Sequence, residues 1–118
     1  MLRYLAHPVV HYRLLYLNRH PLGLLRFVKQ DFPWAVYGFQ PTPQFAPLRQ
    51  LFDREAALAI PGPDDAWQRS VQQILRLRLR MAWLDGRRIC ESRGFFIRID
   101  GQRAMIRGLG KQIDYDPM

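Results

Sequence analysis

Residues 75–81 read Leu75-Arg76-Leu77-Arg78-Leu79-Arg80-Met81, and the fold turns on how this stretch is read. Strict alternation of apolar and charged side chains has a period of two residues, which places every second side chain on one face of a strand. Wound as a helix, the same residues would put arginine on every side, the core side included. The alternation predicts a strand over residues 77–84, with a helix continuing to Trp83 as the competing reading.

Toward the C-terminus the same period returns. Asp85-Gly86 reads as a turn, and Gly94 precedes the apolar stretch Phe95-Phe96-Ile97-Arg98-Ile99. Asp100-Gly101 followed by Arg103-Ala104-Met105-Ile106-Arg107 is a hairpin signature, since Asp-Gly supplies the positive backbone angles that tight hairpin loops need. Residues 109–118 read as a frayed tail.

Toward the N-terminus the period changes to that of helices. Asp64 or Asp65 caps a helix running to about Arg76, with Trp67, Val71, Ile74 and Leu75 on one face and Gln68, Arg69, Gln72 and Gln73 on the other. Pro61-Gly62-Pro63 separates it from an earlier helix, Pro43 to about Ala59. In that helix Phe45, Leu48, Phe52, Ala56 and Ala59 recur at three and four, and Thr42 stands as N-cap before a proline at the first helical position. Asp53 and Glu55 read as facing away from its apolar side. Before the helices, one strand is expected to end near Lys29 and another to span Trp34 to Phe39, with Asp31-Phe32-Pro33 between them. Val9 to Arg19 is open to both readings, a short helix with Val10, Leu14 and Leu17 on one face or a strand.

Together these elements predict an α+β fold in which an antiparallel sheet, made of an N-terminal strand or strands plus a C-terminal meander, packs against two central helices. The 118 residues suffice for one domain with a core of its own, and 48% hydrophobic composition argues against disorder. Residues 1–30 form a basic segment whose packing the sequence leaves open. The single cysteine, Cys90, excludes an intramolecular disulfide and a cysteine-rich zinc site, which points to a reducing, cytoplasmic setting. No apolar run reaches the roughly 18 residues of a membrane-spanning helix. His7, Pro8, His11 and Arg13 interrupt any signal-peptide core.

The formal charge is +8 at neutral pH, and it is unevenly distributed. Residues 1–30 carry +5, residues 31–75 carry −2, residues 76–107 carry +6 with nine arginines, and the tail carries −1. Arginine outnumbers lysine 16 to 2, a bias that suits bidentate contacts to carboxylate or phosphate and that a GC-rich genome also produces.

Period two sorts the meander into two faces. Leu77, Leu79, Met81, Trp83, Phe95, Ile97, Ile99, Ala104 and Ile106 form the face expected against the helices. Opposite them stand Arg78, Arg80, Arg98, Arg103 and Arg107, with Phe96 and Met105 among them. Guanidinium groups interleaved with an aromatic ring make a candidate platform for an anionic partner, because they fork onto carboxylates and phosphates. Sheets that bind RNA present two or three exposed aromatics, and this face offers one.

Other chemistry lacks its residues. His7 and His11 have metal-ligand spacing, but Pro8 lies between them and no third ligand follows. Ser70 and Ser92 lack a nucleophile-elbow context, and Cys90 reads as a small hydrophobe. Gly108, Gly110 and Lys111 do not reproduce a phosphate-binding loop. No catalytic residue, metal or cofactor is indicated. The expectation is a non-enzymatic binding protein that docks an acidic protein partner through Arg78, Arg80, Arg98, Arg103, Arg107 and Phe96, in the manner of a bacterial immunity protein, inhibitor or adaptor. Binding of nucleic acid through the same face is the alternative.

Overall fold

A computed structural model describes residues 12–62, 64–83, 91–92 and 94–108. It is an α+β fold: seven antiparallel strands form one sheet, and two helices sit between the third strand and the fourth. The strands are β1 (Tyr12–Leu17), β2 (His20–Asp31), β3 (Trp34–Pro41), β4 (Arg80–Trp83), β5 (Glu91–Ser92), β6 (Phe95–Asp100) and β7 (Arg103–Gly108). A 3-10 helix, Pro43–Leu48, leads into α1 (Arg49–Ala59), and α2 is Asp65–Leu75. Spatial order across the sheet is β5-β4-β1-β2-β3-β7-β6, so the basic N-terminal segment supplies two of the central strands. Leu15, Leu22 and Leu25 are buried there, which makes residues 12–30 part of the core.

Tight loops produce this order. Asn18-Arg19 joins β1 to β2 with Asn18 at φ 56°, a left-handed conformation that asparagine tolerates. Phe32-Pro33 joins β2 to β3, and Gly101-Gln102 joins β6 to β7, with Gly101 at φ 66° in the first loop position, where tight hairpins favour glycine, and Asp100 still paired in β6. Of the alternatives left open for Val9 to Arg19, the described part is strand. Asp85-Gly86, His7, His11, Cys90 and the tail lie outside the described residues.

Residues paired directly across strands share a face, and the pairing runs continuously through the core. Met81 pairs with Leu15, Leu25 with Phe39, Tyr37 with Ala104, Ala104 with Ile99 and Ile106 with Ile97. All nine of these side chains are buried. The sheet curls around them far enough that β4, near one end, and β6, at the other, line a common cavity. The helices complete the enclosure: the 3-10 helix packs on β2 and β3, and α1 packs on β6 and α2. Phe45 and Phe52 carry the core outward from Phe39, with ring centroids 5.0 Å and 5.4 Å apart along the series.

Three local readings change. Thr42 holds the N-cap position before Pro43 as expected, but its side chain makes no capping bond; its hydroxyl donates to the Pro21 carbonyl at 2.6 Å and its N–H to the Leu22 carbonyl at 2.9 Å, so it ties the helix entrance to β2. The following turn is 3-10 and not α, because Pro47 has no N–H to donate to the Pro43 carbonyl and the α-type ladder begins only beyond it. The strand expected from Leu77 begins at Arg80. Leu77 and Arg78 close the end of α2 by donating to the Ile74 and Leu75 carbonyls at 3.0 Å and 3.1 Å, and Arg78 then reverses the chain at φ 56°. The helix to Trp83 is absent too. At α2 the expectations hold, and Asp64 accepts from the Trp67 N–H at 2.8 Å as N-cap.

Gly23 shows how closely the neighbouring strands β2 and β3 pack. A Cβ placed there would lie 2.7 Å from Phe39 Cζ and 2.9 Å from the Gln40 carbonyl oxygen. The Phe39 ring cannot swing aside, because it is buried against Phe45. Gly23→Ala is therefore expected to lower stability by about 2 kcal/mol in urea unfolding, the scale of core overpacking. A loss below about 0.5 kcal/mol would show that the ring yields.

Candidate functional site

Trp34, Arg107 and Phe96 form a row across three strands. Ala35 pairs with Ile106 and Phe96 with Arg107, so Trp34 at the start of β3 stands beside Arg107 of β7, with Phe96 of β6 beyond. The Trp34 and Phe96 rings meet edge to face at 6.4 Å. Arg98, two residues along β6 from Phe96, lies on the same face. Both guanidinium groups approach the Trp34 ring, Arg98 at 5.0 Å and Arg107 at 5.5 Å from its centroid, a cation–π arrangement.

The helices supply the other half of the site. Glu55 of α1 has no exposed surface, and its carboxylate meets the edge of the Arg98 guanidinium. Arg98 Nε donates to both carboxylate oxygens at 3.1 Å and 3.0 Å, and Nη2 donates to Oε2 at 2.8 Å. Trp67 Nε1 of α2 donates to the same Oε2 at 2.8 Å. One carboxylate thus clamps β6, α1 and α2 together. It also neutralises Arg98 and fixes the planes of Arg98 and Trp67, with both of its oxygens satisfied inside the protein.

This overturns two readings of the sequence. Glu55 does not face away from the apolar side of its helix; three residues from Phe52 and adjacent to Ala56, it borders the buried stripe, and packing of β6 and α2 covers it. Nor do the five arginines share one open face. The helices reach past the edge of β6, so Phe96 is buried at 5% exposure and Arg98 is turned onto Glu55. Arg103 and Arg107 remain exposed on β7. Arg80 begins β4, which three intervening strands separate from β7 in the sheet order, and Arg78 lies in the turn before it. The structure therefore brings Phe96, Arg98 and Arg107 together, leaves Arg103 nearby on the same strand, and places Arg78 and Arg80 elsewhere.

Trp34, Trp67 and Glu55 are the participants that sequence reasoning missed. Both tryptophans are half-buried. With Val71, Phe96, Arg98 and Arg107 they line a cavity of about 430 Å³. Arg98 is compensated by Glu55, whereas Arg107 has no carboxylate or carbonyl acceptor among the described residues. The site accordingly offers one unneutralised cation beside an aromatic recess.

Among the described residues no three His, Cys, Asp or Glu side chains are grouped to hold a metal ion, and no helix is long and apolar enough to cross a membrane. Compared with known proteins, the chain matches no family model, no curated protein and no solved structure.

Proposed function

We propose that the protein is a non-enzymatic binding module that docks an acidic protein partner at the β3-β7-β6 end of its sheet, in a reducing cytoplasm, as an immunity protein, inhibitor or adaptor does. The observation that carries this reading is Arg107: its guanidinium lies over Trp34 facing solvent, while Arg98 beside it is held by Glu55. An acidic side chain of the partner pairs with Arg107, and an apolar neighbour enters the recess between Trp34, Trp67 and Val71. Arg103 lies four residues away on the same strand face, about 13 Å at strand spacing, and receives a second carboxylate. The alternative, nucleic acid, loses Phe96 as a stacking surface, because that ring is buried.

The double variant Arg103→Glu/Arg107→Glu tests the reading, since both side chains are exposed and reversing them leaves the fold intact. Affinity purification from the native host, with and without nuclease, is expected to retain a nuclease-resistant protein partner on the wild type and to lose at least tenfold of it on the variant. Identical partners on both forms would discard the site. Material released by nuclease, with log affinity falling linearly against log salt, would favour nucleic acid instead.

A further inference from the structure

A second cavity, of about 520 Å³, lies where the curled sheet fails to close. β4 near one end of the sheet and β6 at the other approach it without pairing to each other, and the C-terminal end of α2 stands between them. Ile74, Leu79, Phe95 and Ile97 line it, at 2%, 8%, 7% and 1% exposure, so the cavity penetrates to the core and has apolar walls. Its volume falls within the roughly 300–1,000 Å³ of small-molecule sites, and the mouth of a curled or closed sheet is a recurrent location for them.

Its rim is cationic. Arg78 and Arg80 both contribute to the lining, and no Asp or Glu does so among the described residues. Arg78 is exposed, and its guanidinium makes no hydrogen bond or ion pair with the described residues. Its backbone is also in the left-handed region at φ 56°, at the end of α2, where glycine is the residue with no steric penalty.

The geometry points to a binding site for an amphiphile with an anionic head and an apolar tail, specifically a free medium-chain carboxylate. The tail lies against Ile74, Leu79, Phe95 and Ile97, and the carboxylate pairs with Arg78 at the rim. The site is separate from the Trp34–Arg107 recess and stands or falls independently of the docking reading.

Decanoate titrated by calorimetry, with amide shifts followed in NMR spectra, tests the site. Saturable one-to-one binding is expected below the micellar range, with shifts concentrated at residues 74–80 and 94–97. Decanol, which keeps the tail and lacks the charge, is expected to bind at least tenfold more weakly. Arg78→Gly separates ligand binding from folding: it removes the cation but suits the left-handed backbone, so the melting temperature should hold or rise while decanoate affinity falls at least tenfold. Leu75→Trp, filling the cavity from a half-buried wall, should abolish binding with helical content unchanged. Arg107→Glu, in the other site, should leave decanoate affinity unaltered. The assignment is overturned if decanoate shows no saturable binding, if decanol binds equally well, or if Arg78→Gly retains wild-type affinity.

Discussion

Arg98→Ala is expected to destabilise the protein by about 3–5 kcal/mol in urea unfolding, the largest effect of any single polar substitution considered, because it strands a charge that has no access to water. Glu55 has no exposed surface and receives three of its four hydrogen bonds from Arg98. Without them only the Trp67 indole N–H remains to compensate the carboxylate. The converse change is milder: Glu55→Ala frees a guanidinium whose side chain is 20% exposed and finds water, so a loss of about 3 kcal/mol is expected. Glu55→Leu with Arg98→Met should recover most of either loss, since a buried ion pair replaced by apolar groups of similar volume is often neutral. The pair's worth therefore lies in orienting Arg98, Trp34 and Trp67 more than in net stability. If all three variants stayed within about 1 kcal/mol of wild type, the pair would be behaving as an exposed one and its organising role would be refuted.

Phe52→Ala should cost a comparable amount, about 3–5 kcal/mol, for an unrelated reason. Its ring is fully buried and stands next to Phe45, which in turn meets Phe39. Truncation removes the ring's transfer free energy, opens a cavity between α1 and the 3-10 helix, and breaks the aromatic series that seats the helices on β3. Phe52 and Glu55 sit one turn apart on the same helix, so loosening α1 at one position weakens the other. A double-mutant cycle between Phe52→Ala and Arg98→Ala is expected to be non-additive by 0.5 kcal/mol or more, roughly the lower bound for coupled sites. Strict additivity would mean that the two contacts dock α1 independently. A loss below about 1 kcal/mol for Phe52→Ala would mean that the core closes over the missing ring.

The elements most legible in the sequence were those whose formation is decided locally. Asp64 caps α2 because its own carboxylate reaches the Trp67 N–H three residues on. The β6-β7 hairpin forms where Asp100-Gly101 permits a tight reversal, and the burial of Phe95, Ile97, Ile99, Ala104 and Ile106 follows from period two. Residues 75–80 were less legible because leucine at every second position satisfies both a strand face and a helix end followed by a reversal. The choice rests on Arg78 accepting a left-handed backbone, which no apolar pattern reports. The candidate site was half legible. Phe96, Arg98 and Arg107 came from strand alternation, but the alternation assigned them to an open surface.

The sequence by itself determined the α+β class, the two helices, the C-terminal hairpin and the concentration of positive charge, because propensity, capping and periodicity act over a few residues. The tertiary structure decided which charges remain available. Arg98 meets Glu55 from 43 positions away, and Trp67 reaches the same carboxylate from 12. Those encounters depend on α1 and α2 crossing the edge of β6, where burial of apolar area brings the helices together and the buried charge then requires a partner. Five arginines that alternation places on one face become one neutralised group, two exposed on β7, and two at the mouth of a separate cavity, since a curled sheet with helices across its gap has no single outer face.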